Sequence, residues 1–234
     1  MPRISIVIPF YNQKEALRQA LDSISKQTVQ DIEIVIVDDG SNPRLAVDEC
    51  AHGMGISMPL LIRQENKGAS AARNRGLRES KAEYVIFWDA DVTAEPTMIE
   101  KMAKVLEEDA DVSFVYSNFY FGQKKMPARS FDLATLRRLN YISSMSLIRR
   151  SRAIQWDESL KRFQDWDLWL TMAEQGKKGM WIDEYLFRAV PRGTMSAWLP
   201  SFVYQKPWKW LPGLGRRVTE YEEAKAVIGK KHDL

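Results

Sequence analysis

The sequence contains too few cysteines and histidines for several common classes of site. Its 234 residues include one cysteine, Cys50, and two histidines, His52 and His232. A single cysteine cannot form a disulfide within the chain. Two histidines that lie in no ligand-like cluster argue against a zinc site and against a Ser-His-Asp triad. Any catalysis must therefore depend on carboxylates, hydroxyls, lysine or arginine side chains, or a bound cation.

Long apolar runs and an excess of one charge are also absent. No window approaches the ~18 apolar residues of a membrane span. The N-terminal apolar stretch is too short for a signal peptide, which favours a first strand and a cytoplasmic protein. The 34 basic and 31 acidic side chains give a net charge of +3, too balanced to indicate a nucleic-acid partner. Neither G-x-G-x-x-G after the first strand nor G-x-x-x-x-G-K-S/T occurs, which argues against dinucleotide and P-loop enzymes.

The pattern of apolar residues predicts an α/β fold. Predicted strands cover about 3–9, 32–37, 59–63, 83–88 and 112–117, and predicted helices cover about 13–27, a short segment from Asn42-Pro43, 69–80 and 95–108. Repeated strand–helix–strand units imply a parallel sheet with helices on both faces. The second half is less regular, with a strand or strand–helix junction at 140–148, a helix at 165–174, one or two strands at 179–190 and a helix at about 217–230.

Two acidic pairs follow apolar strands directly. Asp38-Asp39 comes after 34–37, and Asp89 and Asp91 come after 84–88. Ligands of open α/β sheets bind outside the carboxyl ends of the strands, so the two pairs are expected to converge on one crevice. Asp39 could accept hydrogen bonds from a nucleotide base or ribose. Asp89 and Asp91 point to the same side of an extended segment and could share Mg²⁺ or Mn²⁺. The alternatives are a plain strand-to-helix turn and an exposed acidic turn.

Two further segments carry candidate residues. The segment 66–76, which includes Lys67, Gly68 and Arg73, opens a helix whose free N–H groups could bind phosphates. Its alternative is an alanine-rich buried helix with solvated arginines. Asp165 lies at the start of an amphipathic helix, where helix capping is the alternative to a catalytic role. The helix dipole is expected to keep Asp165 ionised at neutral pH, as a general base requires.

Together these residues resemble family 2 glycosyltransferases of the GT-A fold. The matching segments fall in order across roughly residues 3–190, and they are 5–12, 37–41, 66–77, 89–91 and 156–170. The resemblance implies a mostly parallel central sheet flanked by helices and an inverting sugar transfer from a nucleoside-diphosphate sugar. It implies that Pro9 and Tyr11 line the base pocket, that Asp39 binds the base, that Arg73 lies near the base or diphosphate, and that Asp89 faces the ribose or sugar.

The resemblance also implies that Asp91 ligates the metal and that Asp165 deprotonates the acceptor hydroxyl. Two departures from the family pattern stand out. Gln164 replaces a frequent glutamate before the base. The chain has Ala189-Val190-Pro191 where many members carry a histidine shortly after the arginine that matches Arg188. The second departure implies that metal affinity is weaker or is supplied in another way.

These inferences give one main hypothesis and two alternatives. The main hypothesis is a metal-assisted, single-displacement glycosyltransferase with Mn²⁺ or Mg²⁺ as cofactor. Its donor is expected to be a UDP-sugar, and its acceptor a glycan or a lipid-linked molecule in cell-surface glycan synthesis. One alternative is a non-catalytic sugar-nucleotide-binding partner of another transferase. The other is a nucleotidyltransferase, which is disfavoured because no glycine-rich basic loop follows the first strand.

The predicted domain boundary lies near residue 192. The GT-A domain is expected to cover 1–192, with a nucleotide-sugar half at about 1–117 and an acceptor half at about 118–192. The extension 193–234 contains an aromatic and basic stretch at 198–215, with tryptophans and lysines interleaved. That stretch could contact the inner face of the membrane peripherally, form an acceptor-binding lid, or simply pack over the domain. Its prolines prevent a continuous amphipathic helix.

Overall fold

The computed structural model describes residues 2–190 and 214–234. Within these ranges nine strands form one sheet, and they are β1 (Ile4–Phe10), β2 (Ile32–Asp39), β3 (Leu60–Gln64), β4 (Tyr84–Phe87), β5 (Val92–Ala94), β6 (Val112–Phe121), β7 (Lys124–Met126), β8 (Leu147–Arg149) and β9 (Lys178–Ala189). The helices of these ranges are α1 (Lys14–Ser25), α2 (Val47–Ala51), α3 (Ala69–Glu79), α4 (Met98–Glu108), α5 (Leu133–Leu136), α6 (Gln164–Glu174) and α7 (Leu214–Lys231).

The sheet divides into a parallel half and a mixed half. Its strand order is β3-β2-β1-β4-β8-β6-β9-β5, and β7 pairs with β6. The first four strands of this order are mutually parallel, as the strand–helix repeats predict. β8 then runs antiparallel to both β4 and β6, whereas β6 and β9 are parallel. Because β2 and β4 flank β1 in the same direction, their carboxyl ends meet at one edge of the sheet.

Both faces of the sheet are buried under helices, and β1 illustrates the reason. Ile4, Ile6 and Ile8 belong to one core cluster, which includes the buried side of α1 and α4. Val7 points the other way, into a second cluster with residues of α3 and α6. A strand that is apolar on both sides must be covered on both sides. The near-continuous apolar run of this strand therefore dictates a three-layer arrangement.

A glycine sets the distance between α3 and the sheet. A Cβ atom built on Gly76 would lie 2.2 Å from Cγ1 of Val7 in β1. Only a residue without a side chain lets the helix approach the strand so closely. This contact fixes α3 over the edge of the sheet, so its first residues lie beside the ends of β1 and β2.

Three local predictions are wrong or incomplete. No helix begins at Asn42-Pro43; α2 begins at Val47. The backbone there forms hydrogen bonds with side chains from elsewhere in the chain. Asn42 N–H donates to Oδ1 of Asn12 (2.9 Å), and Arg63 donates to the Ser41 carbonyl oxygen (2.9 Å). The short strands β5 and β7 were not predicted, since each depends on pairing with a strand elsewhere in the chain. Of 140–148, only the end forms a strand, β8.

The C-terminal extension is described in part. The stretch 198–215 lies outside the described residues, except for the two residues that open the backbone of α7. The helix itself confirms the predicted one at about 217–230, and the division of the chain near residue 192 stays a prediction. In the part of the chain that the structure describes, no helix is long and apolar enough to cross a bilayer.

Candidate active site

The carboxyl ends of β1, β2 and β4 open onto a cleft of about 1200 Å³. Residues from the second half of the chain form its other walls. The predicted site residues that line it are Pro9, Tyr11, Asp39, Gly68, Arg73, Asp89, Asp91 and Asp165. Lys67 does not line it. The structure therefore brings together residues that are up to 156 positions apart in the sequence, between Pro9 and Asp165.

The Asp39 carboxylate is buried at the end of β2 and is fully engaged with the loop before α3. Its Oδ1 accepts hydrogen bonds from the backbone N–H of Lys67 (2.9 Å) and from Nε2 of Gln64 (2.8 Å). Its Oδ2 accepts from the backbone N–H of Gly68 (2.8 Å). Asp39 thus shapes the loop that borders the cleft. The contribution of Lys67 is its backbone N–H, and its side chain is exposed.

Gly68 precedes α3 in a conformation that favours glycine. Its φ is 91°, in the region that side chains disfavour, and no atom lies within 4 Å of the position that a Cβ would occupy. At Gly68, therefore, no side chain separates the N-terminus of α3 from the cleft. The first N–H groups of a helix have no partner within the helix and carry a partial positive charge. This wall of the cleft is suited to an anionic ligand.

Arg73, one turn into α3, connects two distant parts of the cleft. Its Nη2 donates to Oδ1 of Asp89 (2.6 Å), and its Nη1 donates to Oε1 of Gln164 (3.3 Å). The guanidinium also lies 4.5 Å from the centroid of the Trp156 ring. The arginine is buried, so these contacts form out of water. Arg73 therefore links the end of β4 to the beginning of α6, contrary to the alternative in which it is solvated.

The two acids after β4 have different surroundings. Asp89 accepts from Arg73 through Oδ1 and from the Ser144 hydroxyl through Oδ2 (2.8 Å). Among residues 2–190 and 214–234, no side chain hydrogen-bonds or pairs with the Asp91 carboxylate. Burial and the nearby Asp89 raise the pKa of Asp91 to about 6. A carboxylate without a partner next to a second acid is a favourable position for a cation.

The residues present are compatible with a divalent cation only if a bound phosphate supplies further ligands. No three His, Cys, Asp or Glu side chains cluster as a metal site in the described ranges. Mg²⁺ and Mn²⁺ need only one or two carboxylates when substrate phosphates supply further oxygens. Within residues 2–190 and 214–234, Asp91 has the carboxylate without a side-chain partner, whereas Asp89 accepts from Arg73 and Ser144. Ala189 and Val190, also on the cleft wall, supply no side-chain ligand where many family members are expected to have a histidine.

Asp165 lies in the first turn of α6 and lines the same cleft. Burial raises its pKa above the ordinary value, while hydrogen bonds from Asn140 and from the Trp166 N–H oppose the shift. Desolvation thus acts against the ionised form that the sequence-based expectation assigned to Asp165 at neutral pH, and that expectation stays a prediction. A carboxylate with a raised pKa is a stronger proton acceptor.

Several functional positions were missed from the sequence. Ser144 and Asn140 belong to an irregular segment without a motif, so nothing local distinguishes them from loop residues. Gln164 was noted only as a departure from a family pattern, and its contact with Arg73 was not foreseen. The α7 residues Tyr221 and Lys225 also line the cleft, although they come long after the matching segments.

A sheet that presents carboxylates from two strand ends to one cleft, opposite an irregular second half, has the arrangement of the GT-A fold. The chain belongs to glycosyl transferase family 2, whose family model matches residues 5–169. The family predicted from the sequence segments is therefore confirmed.

Two relatives illustrate the extent of the similarity. An uncharacterized glycosyltransferase of Haemophilus influenzae is 30% identical over 188 residues, which cover 74% of this chain and 62% of the relative. The glycosyltransferase GlyG of Streptococcus pneumoniae is 40% identical over 119 residues, which cover 50% of this chain and 39% of GlyG. The chain thus spans less than two thirds of the length of these relatives.

Solved structures confirm the predicted fold class. S. aureus TarS in complex with UDP-GlcNAc superposes with a TM-score of 0.70 at 20% identity, over 84% of this chain and 62% of that chain. The mannosyltransferase PcManGT of Pyrobaculum calidifontis, in complex with GDP-Man and Mn²⁺, has a TM-score of 0.63 at 21% identity, over 81% of this chain and 56% of that chain. At these identities the likeness concerns the fold alone.

Proposed function

We propose that the protein transfers a sugar, with inversion, from a nucleoside-diphosphate sugar to an acceptor hydroxyl by single displacement. The observation that carries the proposal is the double contact of Arg73 with Asp89 and Gln164. It holds the acids at the end of β4 beside the first turn of α6, where Asp165 lies. The proposed donor site at the end of β4 and the candidate base Asp165 thereby lie in the same cleft.

The donor would lie along the edge formed by β1, β2 and α3. Pro9 and the half-exposed Tyr11 offer an apolar wall for a base, and the start of α3 offers N–H groups to a diphosphate. Asp39 would act by holding the loop at 66–68. For Asp39 also to contact the base directly, one of its carboxylate oxygens would have to accept a hydrogen bond from the base in addition to those it already accepts. The complexes of TarS with UDP and of PcManGT with GDP-Man support a nucleotide-sugar donor, and we favour UDP.

A divalent cation would be held by Asp91, with Asp89 beside it and the donor phosphates completing its ligands. There it would act as a Lewis acid that stabilises the negative charge of the departing nucleoside diphosphate. The Mn²⁺ in the PcManGT complex supports this assignment. Arg73 would keep Asp89 oriented and would add positive charge next to the leaving group.

Asp165 is the candidate general base for the acceptor hydroxyl. The other acids at the sheet edge have competing tasks, since Asp39 and Asp89 each accept hydrogen bonds through both oxygens. Asp91 would hold the cation. With one base and no second carboxylate of the sheet edge assigned as nucleophile, direct attack by the activated hydroxyl is favoured, and direct attack inverts the anomeric centre. The raised pKa of Asp165 makes its ionised carboxylate a stronger proton acceptor.

The acceptor is proposed to be a glycan or a lipid-linked molecule, in the synthesis of a cell-surface glycan. The cleft also has an apolar wall from β6, β7 and β9, with Phe119, Met126 and Phe187. Such a wall suits the apolar face of a sugar ring or a lipid stem. The stretch 198–215 remains a candidate for membrane contact or for an acceptor lid.

The donor is tested by thermal shift with UDP, GDP, CDP and ADP, each with and without Mn²⁺. A ligand at a hundredfold over its Kd should add about 2.7 kcal/mol of stability. We expect a metal-dependent shift with one nucleotide, and we expect Asp91→Ala to abolish it. Turnover is then followed as nucleotide release, and Asp165→Asn should keep the thermal shift but lose release. A wild-type protein that releases no nucleotide with any donor and acceptor contradicts the transferase.

The second candidate is a non-catalytic binder of sugar nucleotides that assists another transferase. The observation that favours it is the pair Ala189 and Val190, which leaves the cation with few side-chain ligands. It predicts nucleotide binding without turnover, and an Asp165→Asn variant that equals wild type in cells.

A further inference from the structure

The helix α7 contributes directly to the cleft although it lies outside the segment that matches the family. Tyr221, Glu222 and Lys225 line the cleft together with Asp165. These three residues share one face of the helix, because positions separated by three or four residues lie one above another. The matched segment ends at residue 169, so family membership assigns no role to this helix.

The Tyr221 ring contacts a residue with an unusual backbone just before α6. Its centroid lies 5.0 Å from that of Phe163, with the rings at 72° to each other. Phe163 also meets Trp166 edge-to-face, at 5.7 Å and 72°. Phe163 is therefore held between one ring of α7 and one ring of α6.

The backbone of Phe163 is left-handed, with φ 59° and ψ 26°. A bulky residue rarely adopts this conformation, and it persists only where the surroundings hold it. Phe163 occupies the N-cap position of α6, and Asp165 follows two residues later. The orientation of the first turn of α6 therefore depends on contacts that keep Phe163 in place.

Both ends of α7 are attached to the same part of the structure. Near its beginning, Glu220 accepts from Arg162 at 3.5 Å. At its end, the two ring nitrogens of buried His232 lie 2.9 Å from carboxylate oxygens of Asp167 and Glu174, both in α6. The helix is thus fixed against α6 on either side of Tyr221.

We propose that Tyr221 is a positioning residue: its ring keeps Phe163 in the left-handed conformation and thereby orients the Asp165 carboxylate toward the acceptor. The inference rests on the proposed function, because it assigns Asp165 the role of base. Tyr221 acts through its ring and through Phe163. Small displacements of a reacting group are costly for catalysis, since a shift of about 1 Å can reduce a rate by roughly a hundredfold.

The test compares Tyr221→Ala and Tyr221→Phe with Val227→Ala, a control on the exposed side of α7, where Val227 is 51% exposed. We expect Tyr221→Ala to lower kcat at least tenfold with the donor Kd unchanged. Tyr221→Phe, which keeps the ring, should remain within about threefold of wild type, as should Val227→Ala. A Phe163→Ala, Tyr221→Ala double variant should be no slower than Phe163→Ala alone, because the two residues act in series.

Amide hydrogen exchange provides a second readout that does not require turnover. Tyr221→Ala should speed exchange at residues 163–168, and Tyr221→Phe should not. The inference is overturned if Tyr221→Ala retains kcat, if Tyr221→Phe is as slow as Tyr221→Ala, or if donor affinity falls in parallel. If wild type shows no transfer at all, the proposed function fails, and unchanged exchange at 163–168 in Tyr221→Ala would then overturn the positioning role separately.

Discussion

Arg73 donates a 2.6 Å hydrogen bond to Asp89 from a position on α3 where its side chain is only 5% exposed. The Asp89 side chain is 30% exposed and faces the cleft. A charge buried to this extent needs a partner, and the pairing in turn holds Asp89 at the end of β4. The contact of Arg73 with Trp156 contributes packing on the other side of the guanidinium. The position of the Asp89 carboxylate therefore depends on Arg73 together with Ser144.

Replacing Arg73 with alanine should destabilise the protein by about 3 kcal/mol, because it leaves Asp89 unpaired and removes the contact with Trp156. Urea unfolding measures the loss. The control is Arg75→Ala on the same helix, where the pair with Glu79 is exposed and its removal should cost under ~0.5 kcal/mol. Equal effects of the two variants would contradict the structural role of Arg73.

Asp91→Asn should stabilise the ligand-free protein and abolish its response to metal. Burial and Asp89 raise the pKa of Asp91 to about 6, so its charge is unfavourable at pH 8. Removing that charge should add about 1 kcal/mol in the presence of EDTA, after allowance for partial exposure. The Mn²⁺-dependent thermal shift with nucleotide should disappear. Asp111→Asn, far more exposed, should change neither property, and a destabilised Asp91→Asn would count against this account.

Asp39→Asn should loosen the loop at 66–68. Lys67 N–H and Gly68 N–H donate to different carboxylate oxygens of Asp39, and in an asparagine one of those oxygens becomes an NH₂ donor, so one of the two N–H groups loses its acceptor. We expect a loss of about 1–2 kcal/mol in stability and weaker nucleotide binding by calorimetry. Gln64→Ala removes only the side-chain donor to Asp39 and should affect binding less. Equal binding in wild type and Asp39→Asn would show that the loop does not contact the donor.

The sequence predicts the parallel half of the fold well because its signals there are local. Apolar runs such as 34–37 lie where the strands form, and the acidic pairs at 38–39 and 89–91 lie at the expected strand ends. Parallel strands bring their carboxyl ends together by geometry alone, so the convergence of Asp39 and Asp89 on one cleft follows from strand order.

The features that the sequence did not predict depend on contacts between distant residues. The strand β5 has three residues and exists because Val92 pairs with Ala189. Ser144 contacts Asp89 across 55 positions, and no local pattern indicates it. The raised pKa of Asp165 was missed because desolvation depends on the walls around it, whereas the helix dipole can be inferred from the sequence.

Lys231 at the end of α7 should contribute a pH-dependent part of the stability. Hydrogen bonds from Lys231 (2.6 Å) and Ser159 lower the pKa of Asp157 to about 2, below its usual value of 3.8. A lowered carboxyl pKa stabilises the folded state fully above about pH 4, and this stabilisation is lost as the pH falls toward 2. The attachment of α7 through this pair should therefore matter at neutral pH and vanish in acid.

Lys231→Met should accordingly lower the free energy of unfolding by about 1 kcal/mol at pH 7, a modest value because the lysine is partly exposed. The difference from wild type should narrow steadily between pH 4 and pH 2, as urea titrations across that range would measure. Lys230→Met, at the exposed neighbouring position, should match wild type at every pH. A loss that is independent of pH would mean that Lys231 stabilises α7 through packing of its stem rather than through Asp157, since only the charge interaction disappears when the carboxylate is protonated.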